Sequence, residues 1–138
     1  MGAEPWHVFT PYRESVQQAL LEVQDREFNS GNYDPYGVLE EEGLEPTSMD
    51  DLREMMGDSG TGTVIDILRI TDRPDYFAAC PIPPNKLASQ YGTDQPTRGM
   101  VEGNLDLFED IDRGQGRYII VYKDGEPDEI MFAGYSFD

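Results

Sequence analysis

Residues 117–138, which read RYIIVYKDGEPDEIMFAGYSFD, give the strongest indication of the fold of this chain. Residues 118–122 are an unbroken run of β-branched and aromatic residues, and residues 130–137 form a second apolar and aromatic run. The segment Lys-Asp-Gly-Glu at positions 123–126 joins them, and its Asp-Gly pair tolerates the positive φ that a tight hairpin requires. The stretch therefore predicts a C-terminal β-hairpin.

Three consecutive apolar residues indicate where the first of these strands lies in the sheet. Successive side chains of a strand point to opposite faces, so Ile119, Ile120 and Val121 need covers on both faces. We therefore expect a central strand with layers packed on both sides of it.

The rest of the chain supplies those layers in an irregular order of helices and strands. The pattern lacks strict βαβ alternation and predicts an α+β fold: a mixed or antiparallel sheet of four or five strands, covered by three or four helices. With 138 residues and no dividing linker, residues 1–138 are expected to form a single domain. The predicted elements are a strand-like lead at residues 1–10, helices at 10–28, 48–56, 85–91 and 98–112, strands at 64–70 and 76–82, and a mobile loop at 33–46.

Charge is the most unusual property of the sequence. Ten basic residues against 28 acidic residues give a formal net charge of -18. A chain of this charge repels nucleic acids and anionic membrane surfaces, so neither is expected as a partner. Two interpretations remain: a solvated surface suited to solubility or a salty cytoplasm, or a surface that attracts a basic protein.

Location and redox chemistry follow from what the sequence lacks. No apolar run reaches the length of a membrane-spanning helix, and the N-terminus has no signal-peptide pattern, so we expect a cytoplasmic protein. Cys80 is the only cysteine, which excludes an internal disulfide and a multi-cysteine zinc site.

Few residues suggest catalytic chemistry. Cys80 and His7 could form a thiol–base pair, but nothing in their spacing brings them together, and a cysteine in an apolar strand is usually buried. Asp66 is anomalous within a predicted strand, where it must either reach solvent or pair with an arginine such as Arg69. The segment DSGTGT at residues 58–63 lacks the lysine of a phosphate-binding loop. We predict no catalytic, cofactor-binding or metal-binding residue.

The sequence favours a non-enzymatic, acidic protein-binding module that binds a basic protein. In charge and size it is similar to immunity proteins and other small inhibitors of basic enzymes, although no motif accompanies this similarity of composition. Two alternatives are a small ligand-binding domain or hydrolase-like enzyme with a carboxylate and tyrosine pocket, for which Tyr135 is a candidate, and an acidic surface that reflects solubility or salt adaptation alone. The oligomeric state is left open. The predicted partner-binding residues are Glu40, Glu41 and Glu42 in the loop, and Glu102, Asp106, Glu109, Asp110 and Asp112 on the outer side of the helix at 98–112.

Overall fold

Five strands form one mixed sheet at the centre of the structure, a computed structural model that describes residues 3–137 apart from the side chain of Asp58. The strands are β1 (Pro5–Pro11), β2 (Arg69–Ile70), β3 (Ala78–Pro81), β4 (Gly116–Lys123) and β5 (Glu126–Tyr135). Their order is β1-β5-β4-β3-β2. β5 is antiparallel to β1 and β4, whereas β2, β3 and β4 are parallel. The predicted α+β fold with a mixed sheet is confirmed.

The C-terminal hairpin and its central strand are also confirmed. Asp124 and Gly125 form the turn between β4 and β5 with φ values of 54° and 80°, the left-handed conformations that a tight hairpin needs. β4 has β5 on one side and β3 on the other. Its residues Ile119 and Val121 are buried in one apolar cluster, while Ile120 packs against a second cluster on the opposite face.

Five α-helices surround the sheet, where three or four were predicted. They are α1 (Val16–Asn29), α2 (Val38–Glu42), α3 (Met49–Met56), α4 (Pro84–Tyr91) and α5 (Arg98–Gly103), and three 3₁₀ helices span Gly57–Ser59, Val64–Asp66 and Asp106–Asp110. The additional helix is α2, which lies inside the segment predicted as a loop. Its buried Leu39 explains why this acidic segment folds back onto the protein.

The two faces of the sheet have different covers. α1 packs on one face through Ala19, Leu20 and Val23. The other face is covered by α4, α5 and the 3₁₀ helix Asp106–Asp110. α3 was predicted to lie against the sheet, but its buried Leu52 packs instead with Leu39 and Ile65 in a third cluster. The described buried side chains of this third cluster are Leu39, Leu52 and Ile65, none of which belongs to a strand.

One buried polar side chain connects α1 to the segment that follows Thr63. Gln24 of α1 is 1% exposed, and its Nε2 donates hydrogen bonds to the backbone oxygens of Val64 at 3.0 Å and Ile67 at 2.6 Å. The Val64 oxygen also accepts the N–H of Ile67 at 3.1 Å, whereas the Ile67 oxygen depends on Gln24 for its hydrogen bond. Gln24 therefore fixes the 3₁₀ helix Val64–Asp66 against α1.

The first helix begins later than predicted. It was predicted to begin at residue 10, but β1 continues through Thr10, and the N–H of Tyr12 donates to the backbone oxygen of Asp128 at 3.0 Å. Pairing with β5 therefore keeps the chain extended. The N-cap is Ser15, whose Oγ accepts a backbone N–H from the first turn of α1.

The strand predicted at residues 64–70 is mostly not a strand. Thr63 caps a 3₁₀ helix at Val64–Asp66 by accepting the N–H of Ile65, and only Arg69–Ile70 pair with a neighbouring strand. The apolar side chains of this segment are buried although its backbone is not extended, because Val64, Ile65 and Ile67 each pack in a core cluster.

The helix predicted at residues 98–112 is also interrupted. α5 ends at Gly103, and Asn104 adopts an extended conformation with φ -147° and ψ 101°. The side chain of Asn104 stabilises this break, since its Oδ1 accepts the N–H of Asp106 at 3.0 Å and its Nδ2 donates to the backbone oxygen of Gln90 at 3.2 Å. There is consequently no continuous acidic helix face.

Candidate partner-binding site

The acidic residues predicted on the helix at 98–112 lie on two shorter elements. Glu102 in α5 pairs with Arg98 at 2.6 Å, and Asp110 pairs with Lys86 of α4 at 2.7 Å. Asp106, Glu109 and Asp112 are exposed, and no basic side chain of the described residues lies within ion-pair distance of them. Two of these five predicted carboxylates are thus already neutralised by the protein itself.

The predicted loop residues lie on the other side of the sheet. Glu40, Glu41 and Glu42 are exposed on α2, whose buried Leu39 packs in the cluster that includes Phe28 of α1. α1 and α5 cover opposite faces of the sheet. The structure therefore separates the predicted carboxylates into two surfaces and does not join them into one.

A cleft between α2, α3 and the sheet end brings together residues that the sequence did not connect. Two cavities of about 230 Å³ and about 310 Å³ share Met56 and Gly60, and we call them together the Met56 cleft. Its first cavity is lined by residues that include Tyr36, Val38, Glu42 and Met55, and its second by residues that include Arg53, Glu54, Asp66, Leu68 and Phe77.

The cleft concentrates exposed apolar side chains. Tyr36, Val38, Met55 and Leu68 are 51%, 40%, 36% and 53% exposed, and these four are half of the eight large apolar side chains found exposed in the described residues. Single exposed apolar residues are ordinary, but a group of them at one concave site is typical of a binding surface.

The segment around the cleft is strongly acidic. Between Val38 and Gly57 the chain contains seven acidic residues and one basic residue, a difference of six negative charges. The one basic residue, Arg53, is already engaged: its Nε and Nη2 donate to the backbone oxygen of Ile65 at 3.1 and 3.0 Å, and its Nη1 lies 3.7 Å from a carboxylate oxygen of Asp50. The cleft therefore has apolar walls, and the surface around it carries a net negative charge.

Asp66 shapes the floor of the cleft. Its Oδ1 accepts hydrogen bonds from the N–H and the hydroxyl of Thr61 at 2.7 and 2.9 Å, and its Oδ2 accepts the N–H of Gly62 at 2.8 Å. Sequence analysis predicted solvent or Arg69 as its partner, and this is wrong: Arg69 pairs with Asp75. Burial raises the pKa of Asp66, while the hydrogen bonds from Thr61 and Gly62 act in the opposite direction.

Phe77 forms one wall of the cleft from an uncommon backbone conformation. Its φ is 55°, in the left-handed region that bulky residues rarely adopt. Neighbours hold it there, since its N–H donates to Gly114 O at 2.8 Å, its carbonyl accepts from Leu68 at 2.7 Å, and its ring stacks on Phe137 with centroids 5.7 Å apart. The wall is thereby fixed by three independent contacts.

The other candidate residues do not assemble into a catalytic site. His7, Ala133, Arg117 and Cys80 follow one another across β1, β5, β4 and β3 in register, so His7 and Cys80 are three strand spacings apart, about 14 Å. Cys80 is buried, as predicted. Tyr135 packs edge-to-face on Phe108 in the second core cluster and does not line the Met56 cleft.

Comparisons with protein-family models, with curated proteins and with solved structures found no significant match for this chain. Among the helices of residues 3–137, none is both long enough and apolar enough to cross a membrane. Within the same described part of the chain, no group of three or more His, Cys, Asp or Glu side chains is arranged to hold a metal ion.

Sequence reasoning found Glu42 but missed the apolar part of the site. Tyr36, Val38 and Met55 lie in two helices and a loop whose contact depends on the third core cluster. One signal was present: Met49, Met55 and Met56 lie close together in the sequence, and methionine is frequent at adaptable binding surfaces.

Proposed function

We propose that this protein is a non-enzymatic binding module that holds a basic, amphipathic segment of a partner protein in the Met56 cleft. The observation that carries the proposal is the group of exposed apolar side chains Tyr36, Val38, Met55 and Leu68 within a segment of six excess negative charges. A basic enzyme inhibited by this chain would be a partner of suitable chemistry.

The apolar walls of the cleft and the acidic surface around it would bind different side chains of such a segment. Apolar side chains of the partner would pack on Met55, Met56 and Val38, as an amphipathic helix packs its apolar face into a groove. Lysine and arginine side chains would face Glu42 and Glu54, which line the two cavities. Long-range attraction by the acidic surface would accelerate encounter, and salt would weaken it.

A labelled synthetic Lys/Leu amphipathic helix is the first probe, with fluorescence anisotropy as the measurement. We expect tight binding at about 0.01 M ionic strength and clearly weaker binding at about 0.15 M, because the Debye length falls from about 30 Å to about 8 Å. A salt-independent affinity would contradict the electrostatic part of the proposal. A Glu/Leu helix of equal length is the control for charge and should not bind.

Two methionines provide a matched pair of variants. Met55→Lys places a positive charge in the cleft and removes apolar contact, so we expect at least about a tenfold loss of affinity. Met100→Lys makes the same change at a residue 45% exposed on α5 and should leave the affinity within about twofold. Equal effects of the two variants would show that only net charge matters.

Two triple variants separate the acidic surfaces. Replacing Glu40, Glu41 and Glu42 by glutamine should weaken binding about tenfold, at roughly 0.5 kcal/mol for each charge. Neutralising Asp106, Glu109 and Asp112 changes the net charge equally but on the opposite side of the sheet. A loss confined to this second variant would overturn the placement of the site.

Ligand binding at Asp66 is a second candidate function. The larger cavity of the cleft, about 310 Å³, contains this carboxylate with its raised pKa, as the small-ligand alternative requires. Both of its oxygens already accept hydrogen bonds from Thr61 and Gly62, which favours a structural role for it. Asp66→Asn separates the candidates, since peptide binding should survive this substitution and carboxylate-dependent ligand binding should not.

A further inference from the structure

A separate cavity of about 290 Å³, outside the Met56 cleft, shares no lining residue with either cavity of that cleft. It lies between β3, α4 and the 3₁₀ helix Asp106–Asp110. The residues that matter for its chemistry are Asp72, Cys80, Lys86, Gln90, Asp110 and Arg117.

Arg117 is the unusual residue of this cavity. It is only 9% exposed, and no carboxylate of the described residues lies within ion-pair distance of it. Its Nη1 donates to the backbone oxygen of Gly116 at 2.9 Å and its Nη2 to that of Asp110 at 3.1 Å. A guanidinium has five N–H donors, so three have no described protein acceptor. A buried cation normally requires a paired anion.

The groups around Arg117 act on a bound anion in opposite directions, since Lys86 attracts it and Asp72 repels it. Lys86 of α4 adds a charged donor, which already binds the carboxylate of Asp110 at 2.7 Å, whereas Gln90 Nε2 donates to Tyr91 and Asn104. Burial raises the pKa of the Cys80 thiol, against the effect of Arg117, so the thiol stays neutral near pH 7. Asp72 is the cavity's other carboxylate, and it has no ion pair among the described residues.

We infer that this cavity binds a small oxyanion through the guanidinium of Arg117, the recognised group being a carboxylate or a phosphate. The planar fork of an arginine donates two parallel hydrogen bonds to either group. The cavity volume lies near the lower end of small-molecule sites and suits a ligand of a few heavy atoms around its charged group. This site is independent of the proposed binding of a basic segment.

Nuclear magnetic resonance of the Arg117 Nε–Hε group tests the inference directly. The signal is assigned by its loss in Arg117→Lys, and the probes are sodium phosphate and sodium acetate, each compared with sodium chloride at equal ionic strength. A saturable shift with phosphate identifies phosphate recognition, and a saturable shift with acetate identifies carboxylate recognition. Shifts that are linear and equal to those of chloride would overturn the inference.

Variants around Arg117 keep the test decisive even where Arg117→Lys folds poorly. Lys86→Gln should weaken the saturable binding about tenfold, because it removes a charged donor. Lys123→Gln is the matched control, since Lys123 is the only other lysine and lies at the distant hairpin turn. Asp72→Asn should strengthen binding severalfold by removing a repelling charge. Identical affinities in all three variants would contradict an anion site in this cavity.

Discussion

Gly134 is the position at which the packing of the sheet is most demanding. It lies in β5 opposite Trp6 of β1 and opposite Gly116 of β4. A Cβ added there would lie 2.6 Å from Trp6 Cζ2 and 2.7 Å from the backbone oxygen of Gln115. The tryptophan ring could rotate, but the oxygen accepts the N–H of Tyr135 at 3.2 Å and cannot move without losing that hydrogen bond.

We therefore expect Gly134→Ala to destabilise the fold by about 2–4 kcal/mol. Forcing one methyl group into a packed interior costs about 1–3 kcal/mol, and loss of one hydrogen bond adds about 1 kcal/mol. Domains of ordinary stability unfold with about 5–15 kcal/mol, so this change is easily measured. Urea unfolding followed by circular dichroism gives the free energy of unfolding, and the midpoint should fall without a change of slope.

Gly99→Ala is the control for this substitution. Gly99 lies in α5, and apart from its chain neighbours and the backbone of its own helix no atom lies within 4 Å of a Cβ added there, so alanine should stabilise the helix by about 0.5 kcal/mol. The two Gly→Ala changes should consequently have opposite signs. A Gly134→Ala protein as stable as the wild type would refute the packing described for β1, β4 and β5.

Three further predictions concern buried polar groups. Gln24→Leu should cost about 1–3 kcal/mol in urea unfolding, because it leaves the carbonyl of Ile67 without a donor and removes one of the two donors to the carbonyl of Val64; an unchanged midpoint would contradict this role. Since burial raises the pKa of Asp66, the unfolded state loses this proton first, and its contribution to stability falls as the pH rises from about 4 through the folded pKa. Asp66→Asn should therefore gain stability relative to the wild type between pH 4 and pH 7, and a difference independent of pH would disprove the shift. Alkylation of Cys80 at pH 8 should be at least about a hundredfold slower in the folded protein than in denaturant, and equal rates would show that the thiol is accessible.

The sequence predicted best where local chemistry and tertiary structure agree. The hairpin combines β-branched strands with an Asp-Gly turn, and both features act over a few residues. The helix predicted at residues 48–56 corresponds to α3, and Ser48 caps it by accepting the N–H of Asp51 at its Oγ. Gly92 ends α4 in the left-handed conformation, directly after the helix predicted at residues 85–91.

Predictions failed where distant contacts outweigh local preference. The apolar run at residues 64–70 is typical of a strand, but Asp66 accepts hydrogen bonds from the backbone of Thr61 and Gly62. Gln24, 40 residues before Val64, binds the carbonyls at the two ends of the segment 64–67 and favours its 3₁₀ conformation. Likewise, the helical pattern at residues 98–112 continues through Asn104, whose side-chain hydrogen bonds to Gln90 and Asp106 favour a break.

The candidate site could be predicted only in part for the same reason. The acidic run at residues 40–42 is visible in the sequence, and Glu42 lines the Met56 cleft. The apolar walls come from Val38, Met55 and Leu68, which meet only after α2 and α3 pack together. Arg117 gave no signal, because the lack of a carboxylate partner is a property of the folded state alone.

Amide chemical shifts recorded during titration with the Lys/Leu helix locate the surface that binds a basic segment. For binding in the Met56 cleft, we expect shifts that concentrate in α2, α3 and the turn at residues 57–60, reverse on addition of salt, and leave residues 106–112 unchanged. Shifts concentrated at residues 106–112, or spread evenly over every acidic surface, would contradict binding in the Met56 cleft and would favour a surface whose charge serves only solubility.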